Sequence, residues 1–197
     1  MPEIHPLRRR DADRLQASVK PLPRTVKRPA VVVMVGLPGS GKSYLARAVA
    51  KRTPAVVLDS DALRGVLFAQ PKHTKREHAR LFPALHVLME RLLERGHSII
   101  VDATNLKEAS RRPYYKIAEK YGAPVILVRT WASWPVIRER LLSRIDAPHP
   151  DDRSTATVEV YQAMRSDAER LRKKHLSVDT SRDITPAVDK IVSLLQS

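Results

Sequence analysis

The sequence contains no cysteine and no long apolar run, and each absence excludes a class of protein. Without cysteine among its 197 residues, the chain can form no disulfide, thiolate metal site or cysteine nucleophile, which fits a reducing compartment. No apolar stretch approaches the roughly 20 residues that a helix needs to span a bilayer. Residues 1–5 also lack the pattern of a signal peptide. We therefore expect a cytoplasmic protein without a membrane contact.

Acidic residues are scarce relative to basic ones. The chain has 21 Asp and Glu against 36 Lys and Arg, which gives a formal net charge of +15. An excess of this size attracts polyanions, nucleic acid above all, although nucleotides and phosphorylated small molecules are attracted too. A basic surface that only maintains solubility is the alternative. The charge favours a phosphate-rich partner and does not identify it.

Much of the basic charge lies in residues 1–28, where prolines are frequent and apolar periodicity is weak. This segment has eight Lys and Arg against three Asp and Glu. It predicts a basic, flexible N-terminal arm, with at most a short helix over residues 11–19. The arm either tethers phosphate backbones or is a solvated tail. Residues 29–197 then form a single domain, because the chain is long enough for one sizeable core and too short for two.

From residue 30 onward, short apolar segments alternate with helical ones. Strands are predicted at residues 30–35, 55–58, 98–101, 125–129 and 176–178. Helices are predicted at residues 42–51, 62–68, 74–95, 107–121, 134–144, 155–173 and 186–195. This alternation indicates βαβ units. It predicts a three-layer α/β fold with a doubly wound parallel sheet of about five strands.

A glycine-rich segment lies between the first of these strands and the helix after it. From Gly36 to Ser43 it has the sequence GLPGSGKS, which matches a phosphate-binding loop. The glycines let backbone N–H groups turn towards phosphates, and the N-terminus of the next helix adds to the anion site. Lys42 is expected to reach the β- and γ-phosphates of ATP, and the Ser43 hydroxyl to ligate Mg²⁺. A glycine turn that binds nothing explains this pattern less well.

Acidic residues follow the second and third strands. Because ligands bind beyond the carboxyl ends of strands in open α/β sheets, Asp59 and Asp61 are expected beside the phosphate loop. A carboxylate there can accept the proton of an attacking hydroxyl, and Arg64 can hold an anionic acceptor. A helix N-cap is the alternative role for Asp61, and capping and catalysis can coexist. Asp102 is a candidate for the Mg²⁺ side, although Asp after a strand is also ordinary turn chemistry.

An arginine-bearing helix is predicted before the proline-rich polar loop that begins near residue 145. This combination is typical of a lid, placed here near residues 138–156, that closes over the nucleotide and excludes water. Arg140 and Arg144 lie four residues apart, a spacing suited to gripping the transferring phosphoryl oxygens. A surface helix with paired charges is the alternative.

With these residues in place, the chain resembles the 5′-hydroxyl polynucleotide kinases and the wider group of small phosphate-loop kinases. The resemblance covers most of residues 31–164 and includes the phosphate loop, the lid arginines and the segment VDATNL at 101–106, which is similar to the family's Asp-x-Thr-Asn element. It implies a P-loop NTPase fold of the nucleoside-kinase type, with ATP and Mg²⁺ bound. The residues that it implies are catalytic Lys42, Asp61 and Arg144; nucleotide-binding Gly36, Leu37, Pro38, Gly39, Ser40, Gly41, Lys42, Ser43, Tyr44 and Arg140; substrate-binding Asp59, Arg64, Thr104, Asn105 and Arg111; and metal-binding Ser43 and Asp102.

One departure from the family concerns the acceptor. Polynucleotide kinases often carry Asn-Arg directly before the catalytic Asp, whereas this chain has Asp59 and Ser60, as adenylyl-sulfate kinases more nearly do. The first prediction is a kinase that transfers the γ-phosphate of ATP to the 5′-hydroxyl of DNA or RNA. The alternative is a small-molecule hydroxyl acceptor of the gluconate, adenylyl-sulfate or sugar-nucleotide type. A nucleotide-switched nucleic-acid-binding ATPase that phosphorylates nothing is a third hypothesis.

Overall fold

A computed structural model describes residues 6–146 and 156–197, with the side chains of residues 144–146 excepted. In this part the strands form one parallel sheet of five, in the order β2-β3-β1-β4-β5. The strands are β1 (Val31–Val35), β2 (Ala55–Asp59), β3 (Ser98–Asp102), β4 (Val125–Trp131) and β5 (Leu176–Asp179). The helices are α1 (Pro6–Ser18), α2 (Lys42–Ala50), α3 (Ser60–Leu67), α4 (Lys75–Glu94), α5 (Glu108–Lys120), α6 (Trp134–Asp146), α7 (Val158–Ser166) and α8 (Thr185–Gln196). The predicted α/β fold is confirmed.

The central strand β1 explains why its sequence is a continuous apolar run. It pairs with β3 on one side and β4 on the other, and all five of its residues are buried. A parallel strand covered on both faces needs apolar side chains at every position, because neither face meets water. The phosphate loop therefore starts from the central, fully buried strand of the sheet.

Helices cover both faces of the sheet, and the side chains of β1 alternate between the two cores. Val31 and Val33 contact a core formed with α1, α3, α4 and α5, whereas Val32 and Met34 contact a core formed with α2 and α8. This arrangement gives the three predicted layers. No helix in residues 6–146 and 156–197 has both the length and the hydrophobicity that crossing a bilayer would require.

The N-terminal segment differs from the predicted flexible arm. Helix α1 begins at Pro6, buries Ala12 and Leu15 completely, and packs along α4 and α3. The buried Asp11 carboxylate accepts two hydrogen bonds of 2.7 Å from the Arg80 guanidinium. The expectation of a flexible arm is corrected for residues 6–18, because a narrow apolar stripe and a bidentate ion pair fix this helix despite its basic exposed face. Residues 1–5 lie outside the described part.

The helix predicted over residues 155–173 is shorter in the structure. Thr157 caps α7, which ends at Ser166. After it, the Glu169 backbone N–H donates to the Leu106 carbonyl (3.2 Å), and the Glu169 carboxylate accepts the Glu108 N–H (2.7 Å). Contacts with the start of α5 thus replace the helical hydrogen bonds that local propensity favours.

Candidate functional site

A cleft of about 600 Å³ lies at the carboxyl ends of β1, β2 and β3. The phosphate loop and the start of α2 form one wall, and α3 with the loop before α4 forms the other. Residues Val160 and Met164 of α7 also line it. This is where open parallel sheets bind ligands, because loops diverge there and leave a crevice. Most of the predicted catalytic, metal and nucleotide positions line this one cavity.

Two glycines of the phosphate loop are required by close packing. A Cβ at Gly36 would lie 2.5 Å from both the Ser40 and the Thr130 hydroxyl oxygens. Gly41 has a φ of +81°, and a Cβ there would lie 2.7 Å from the Thr180 hydroxyl oxygen. Side chains at these positions would push the loop away from β4 and from the turn after β5. The loop conformation that cradles phosphates thus depends on both glycines.

Lys42 and Arg140 are both attached to the phosphate loop. The Lys42 ammonium donates to the Leu37 carbonyl at 3.0 Å, across the turn of the loop. The Arg140 guanidinium donates to the Gly39 carbonyl (3.1 Å) and to the hydroxyl and carbonyl of Thr180 (2.8 and 2.7 Å). Two cations are therefore held where the loop would receive an anionic phosphate chain.

The predicted nucleotide-binding residues divide into two groups. Those that line the cleft are Pro38, Gly39, Gly41, Lys42, Ser43, Tyr44 and Arg140. The side chains of Leu37 and Ser40 turn elsewhere: Leu37 packs against the small core between α6 and α7, and Ser40 is buried and shares a 2.8 Å hydrogen bond with Thr130. The Gly36 backbone N–H donates a hydrogen bond to the Thr104 carbonyl. These three shape the loop rather than line the cavity.

Ser43 and Asp102, the predicted metal residues, contact each other in the floor of the cleft. The Ser43 hydroxyl donates to the Asp102 carboxylate, which is almost fully buried. Burial raises the pKa of Asp102 to about 6, although Lys42 and the Ser43 hydroxyl oppose this rise. A buried carboxylate beside a cationic loop is suited to a divalent ion, whose charge would compensate for the lost hydration.

The donor set fits Mg²⁺ in particular. In the described part of the chain, no group of three or more His, Asp or Glu side chains is arranged to hold a metal ion on its own. Mg²⁺ does not need one, because it usually takes one or two protein ligands together with phosphate oxygens and waters. Ser43 and Asp102 supply that number of ligands next to the phosphate loop.

Asp59, not Asp61, is the N-cap of α3. The Asp59 carboxylate accepts the backbone N–H groups of Asp61 (2.9 Å) and Ala62 (3.2 Å). The sequence-based alternative that gave Asp61 this capping role is therefore wrong, and the helix begins two residues earlier than predicted. With its capping role taken by Asp59, the Asp61 side chain lines the cleft.

The Asp61 carboxyl has the electrostatic setting expected of a proton acceptor. Burial, and then the nearby Asp59 carboxylate, raise the pKa of Asp61 above its ordinary value. Three basic side chains act in the opposite direction: His73, Arg64 and Lys42. A carboxylate with a raised pKa is a stronger base, and opposed influences of this kind are common where proton transfer occurs.

Arg64 lies on the acceptor side of the cleft, held by a buried carboxylate. One of its terminal nitrogens lies 3.4 Å from the Glu77 carboxylate, and both side chains are largely buried. Its Nε atom is buried and has no hydrogen-bond partner among the described residues. Burial acts to raise the pKa of Glu77. The hydrogen bonds from the Lys72 and His73 N–H groups, together with the Arg64 charge, outweigh burial and lower this pKa below its ordinary value. A fixed cation therefore lines the cleft.

The structure brings only one of the three residues Thr104, Asn105 and Arg111 into the cleft. Thr104 lines it. Asn105, with a φ of +49°, donates from its amide to the Met34 carbonyl (2.8 Å) and is buried. The Arg111 guanidinium is 1% exposed and binds the Asn105 carbonyl (2.6 Å) and the Glu108 carboxylate (3.0 Å). These two predicted substrate residues instead hold the turn after β3, which corrects the prediction.

The predicted lid falls partly outside the described part of the chain. The structure does not describe residues 147–155 or the side chain of Arg144, so the catalytic role predicted for Arg144 stays a prediction. Within the described part, α6 joins the phosphate loop through Ile137 and Leu141, which pack in one small core with Leu37. The rings of Trp134 and Tyr161 stack at 5.0 Å and link α6 to α7.

Several residues that line the cleft are not among the site residues predicted from the sequence. These are Arg47, Lys72, His73, His78 and Phe82, and Thr180 joins them indirectly through Arg140. The pattern Thr74-x-x-Glu77 does contain a signal, because it matches a capping box. The Thr74 hydroxyl accepts the Glu77 N–H (3.2 Å) as that motif requires, but the Glu77 carboxylate turns to Lys72 and His73 instead.

Comparisons with known proteins identify a family and several relatives of this chain. A family model described as an AAA domain, AAA_33, matches residues 31–171. The enzyme 6-phosphofructo-2-kinase/fructose-2,6-bisphosphatase 1 of Rattus norvegicus is 26% identical over 146 residues, which cover 66% of this chain and 31% of that protein. The chain thus spans about a third of the length of the curated relatives that it matches.

Solved structures share the fold at lower identity. The Mycobacterium tuberculosis APS kinase CysC in complex with AMPPNP and APS is 22% identical, with a TM-score of 0.61 over 86% of this chain and 99% of that one. A gluconokinase from Sinorhizobium meliloti 1021 is 24% identical, with a TM-score of 0.57 over 86% of this chain and 93% of that one. Neither these two nor the rat enzyme is described as a polynucleotide kinase, so the resemblance holds for phosphate-loop kinases in general.

Proposed function

The chain belongs to the AAA domain family AAA_33, and from this membership and the geometry of the cleft we propose that it is an ATP-dependent kinase of a small-molecule hydroxyl. The observation that carries the proposal is that Asp61 and Lys42 line the same cleft, where the Lys42 ammonium acts to lower the pKa of Asp61. Lys42 can hold the donor phosphates while Asp61 accepts the proton of the acceptor hydroxyl.

The proposed reaction uses this chain's residues on both reactants. The phosphate loop and Lys42 bind the triphosphate of ATP, and Arg140 holds the loop against the turn at Thr180. The acceptor hydroxyl attacks the γ-phosphorus, an O–P bond forms, and the bond to the β,γ-bridging oxygen breaks. The hydroxyl proton passes to the Asp61 carboxylate, and ADP leaves with the bridging oxygen. Mg²⁺, when bound at Ser43 and Asp102, supplies positive charge that offsets the charge on the phosphates.

The dimensions of the cleft support a small acceptor. Its volume of about 600 Å³ is within the range of small-molecule sites, and it must also admit the donor phosphates. Arg64, Lys72, Phe82 and Met164 of α7 are among the residues that line it. The Arg64 guanidinium, which lines the cleft, favours an acceptor that also carries an anionic group.

The named activities of the relatives point in the same direction. The rat relative and the gluconokinase are named as kinases of small molecules. The APS kinase is described in complex with the small molecules AMPPNP and APS. A nucleic-acid 5′-hydroxyl is the second candidate acceptor. The net charge of +15 favours it, because electrostatic attraction brings polyanions to the surface.

The experiment that tests the proposal is transfer of labelled γ-phosphate from ATP, with Lys42→Ala as the blank. One arm offers a panel of small hydroxyl compounds with and without an anionic group, and the other a 5′-hydroxyl oligonucleotide. Transfer to an anionic small molecule supports the proposal. Transfer to the oligonucleotide alone would replace it with the second candidate, and phosphate release to water alone would contradict both.

A further inference from the structure

The loop between α3 and α4 is fixed over the acceptor side of the cleft by a single buried carboxylate. One Glu77 oxygen accepts the Lys72 N–H at 2.9 Å, and the other accepts the His73 N–H at 2.9 Å. The same carboxylate also pairs with Arg64. Because Glu77 is 8% exposed, these bonds are protected from water and hold the loop firmly.

His73 has an uncommon backbone conformation in this loop. Its φ of +53° lies in the left-handed region, which costs a residue with a Cβ roughly 1 kcal/mol or more. The Glu77 carboxylate stabilises this conformation by accepting the His73 N–H. Strained residues of this kind persist where the surrounding structure fixes them, and they are concentrated at functional sites.

The conformation places the His73 ring beside Asp61. Its Nδ1 atom lies 4.0 Å from the Asp61 Oδ1 atom, within ion-pair distance when the imidazole is protonated. His73 reaches this carboxyl from the loop between α3 and α4. The charged groups that act on Asp61 from the other elements are Lys42 of α2, Asp59 at the end of β2, Arg64 of α3 and Asp102 at the end of β3.

We propose that His73 is a positioning residue for Asp61, which it holds in the orientation and ionisation state that acceptor deprotonation requires. The inference rests on the proposed kinase function, because it assigns the proton acceptor to Asp61. In this account Glu77 fixes the loop, the loop fixes His73, and His73 fixes the carboxylate. The strain at His73 is then part of how the site is preorganised.

The test compares His73→Asn with the wild-type protein. Asn tolerates the left-handed backbone better than most residues, so the loop keeps its conformation while the imidazole is lost. We expect kcat to fall roughly tenfold, with the affinity for ATP unchanged, because His73 acts on the base and not on the donor. The acidic limb of the pH profile of kcat should move to higher pH, because a protonated imidazole no longer favours the ionised carboxyl. His175→Asn, in a residue that binds the Lys173 carbonyl and does not line the cleft, is the matched control.

A second measurement does not depend on activity. The Asp61 carboxyl signal, assigned with Asp61→Asn in ¹³C-labelled protein, is followed by NMR as the pH changes. The pKa of Asp61 should rise in His73→Asn, because the imidazole that lowers it is lost, and stay unchanged in His175→Asn. If the wild type transfers phosphate and His73→Asn matches it in kcat, pH profile and titration, the inference is wrong and the kinase proposal survives. If the wild type transfers phosphate to nothing, the kinase proposal fails, and an unchanged Asp61 titration would also refute the pairing with His73.

Discussion

Asp59 and Asp102 are register partners at the carboxyl ends of β2 and β3, two neighbouring acids that are used for different purposes. Asp59 caps α3 through the N–H groups of Asp61 and Ala62, whereas Asp102 is buried and bound by the Ser43 hydroxyl. The Asp59 carboxylate acts to raise the pKa of both Asp102 and Asp61. The sheet therefore concentrates negative charge at the point where the phosphate loop concentrates positive charge.

The first prediction concerns how much the buried Asp102 carboxylate lowers the stability of the folded chain. Because burial raises the pKa of Asp102 from 3.8 to about 6, the folded chain binds this proton more tightly than the unfolded chain does. Ionisation of Asp102 therefore lowers stability as the pH rises from about 4 to about 6, and the full penalty applies above that range. Asp102→Asn should stabilise the nucleotide-free protein at pH 8 by on the order of 3 kcal/mol, while it removes phosphate transfer.

Urea unfolding at pH 5 and pH 8 measures this effect. The stabilising difference between Asp102→Asn and the wild type should be larger at pH 8. An equal difference in unfolding free energy at the two pH values, or a destabilised variant at pH 8, would show that burial does not raise the pKa of Asp102.

The second prediction separates two glycines. Gly41→Ala should weaken ATP binding by more than roughly tenfold, because the new Cβ would lie 2.7 Å from the Thr180 hydroxyl oxygen and Gly41 has a φ of +81°. Displacing Thr180 also disturbs the bonds that it makes with Arg140. Gly65→Ala is the control, since a Cβ there meets nothing within 4 Å and α3 should gain up to about 1 kcal/mol. Calorimetric titration with ATP would show equal affinities for the two variants if this packing argument were wrong.

The third prediction concerns α1. Leu15→Ala should lower the free energy of unfolding by about 2–4 kcal/mol, because Leu15 is fully buried against α4. Leu7→Ala should change it by less than about 0.5 kcal/mol, because Leu7 is 48% exposed on the same helix. Chemical denaturation of both variants checks the pair. A negligible effect of Leu15→Ala would restore the flexible arm that the composition favours.

The fold and the core of the site could be predicted from the sequence because their signals are local. Continuous apolar runs identify buried parallel strands, and the spacing of Gly36 to Ser43 identifies a phosphate loop wherever it occurs. Asp61 and Asp102 were placed correctly beside that loop because strand ends in a parallel sheet lie at one edge.

The errors arose where a side chain's role depends on a distant partner. Leu15 of α1 is buried in the core that α4 also forms, and the Asp11 carboxylate of the same helix pairs with Arg80, 69 residues away. Arg111 follows a motif that suggested substrate contact, but the direction of its side chain depends on the left-handed turn at Asn105. The strained loop at His73 likewise depends on Glu77, whose capping-box position predicts a local bond that it does not make.

The most direct measurement of the central claim follows the labelled γ-phosphate of ATP in wild-type and Asp61→Asn protein, with an anionic small hydroxyl acceptor present. Glu94→Gln, in an exposed acid of α4, is the control for the loss of one carboxylate. The account predicts that the wild type and this control pass the label to the acceptor rather than to water. It predicts that Asp61→Asn binds ATP normally but transfers roughly 10²–10⁴ times more slowly. Transfer by Asp61→Asn at the wild-type rate would contradict the assignment of the base, and label released only to water by the wild type would contradict the kinase itself.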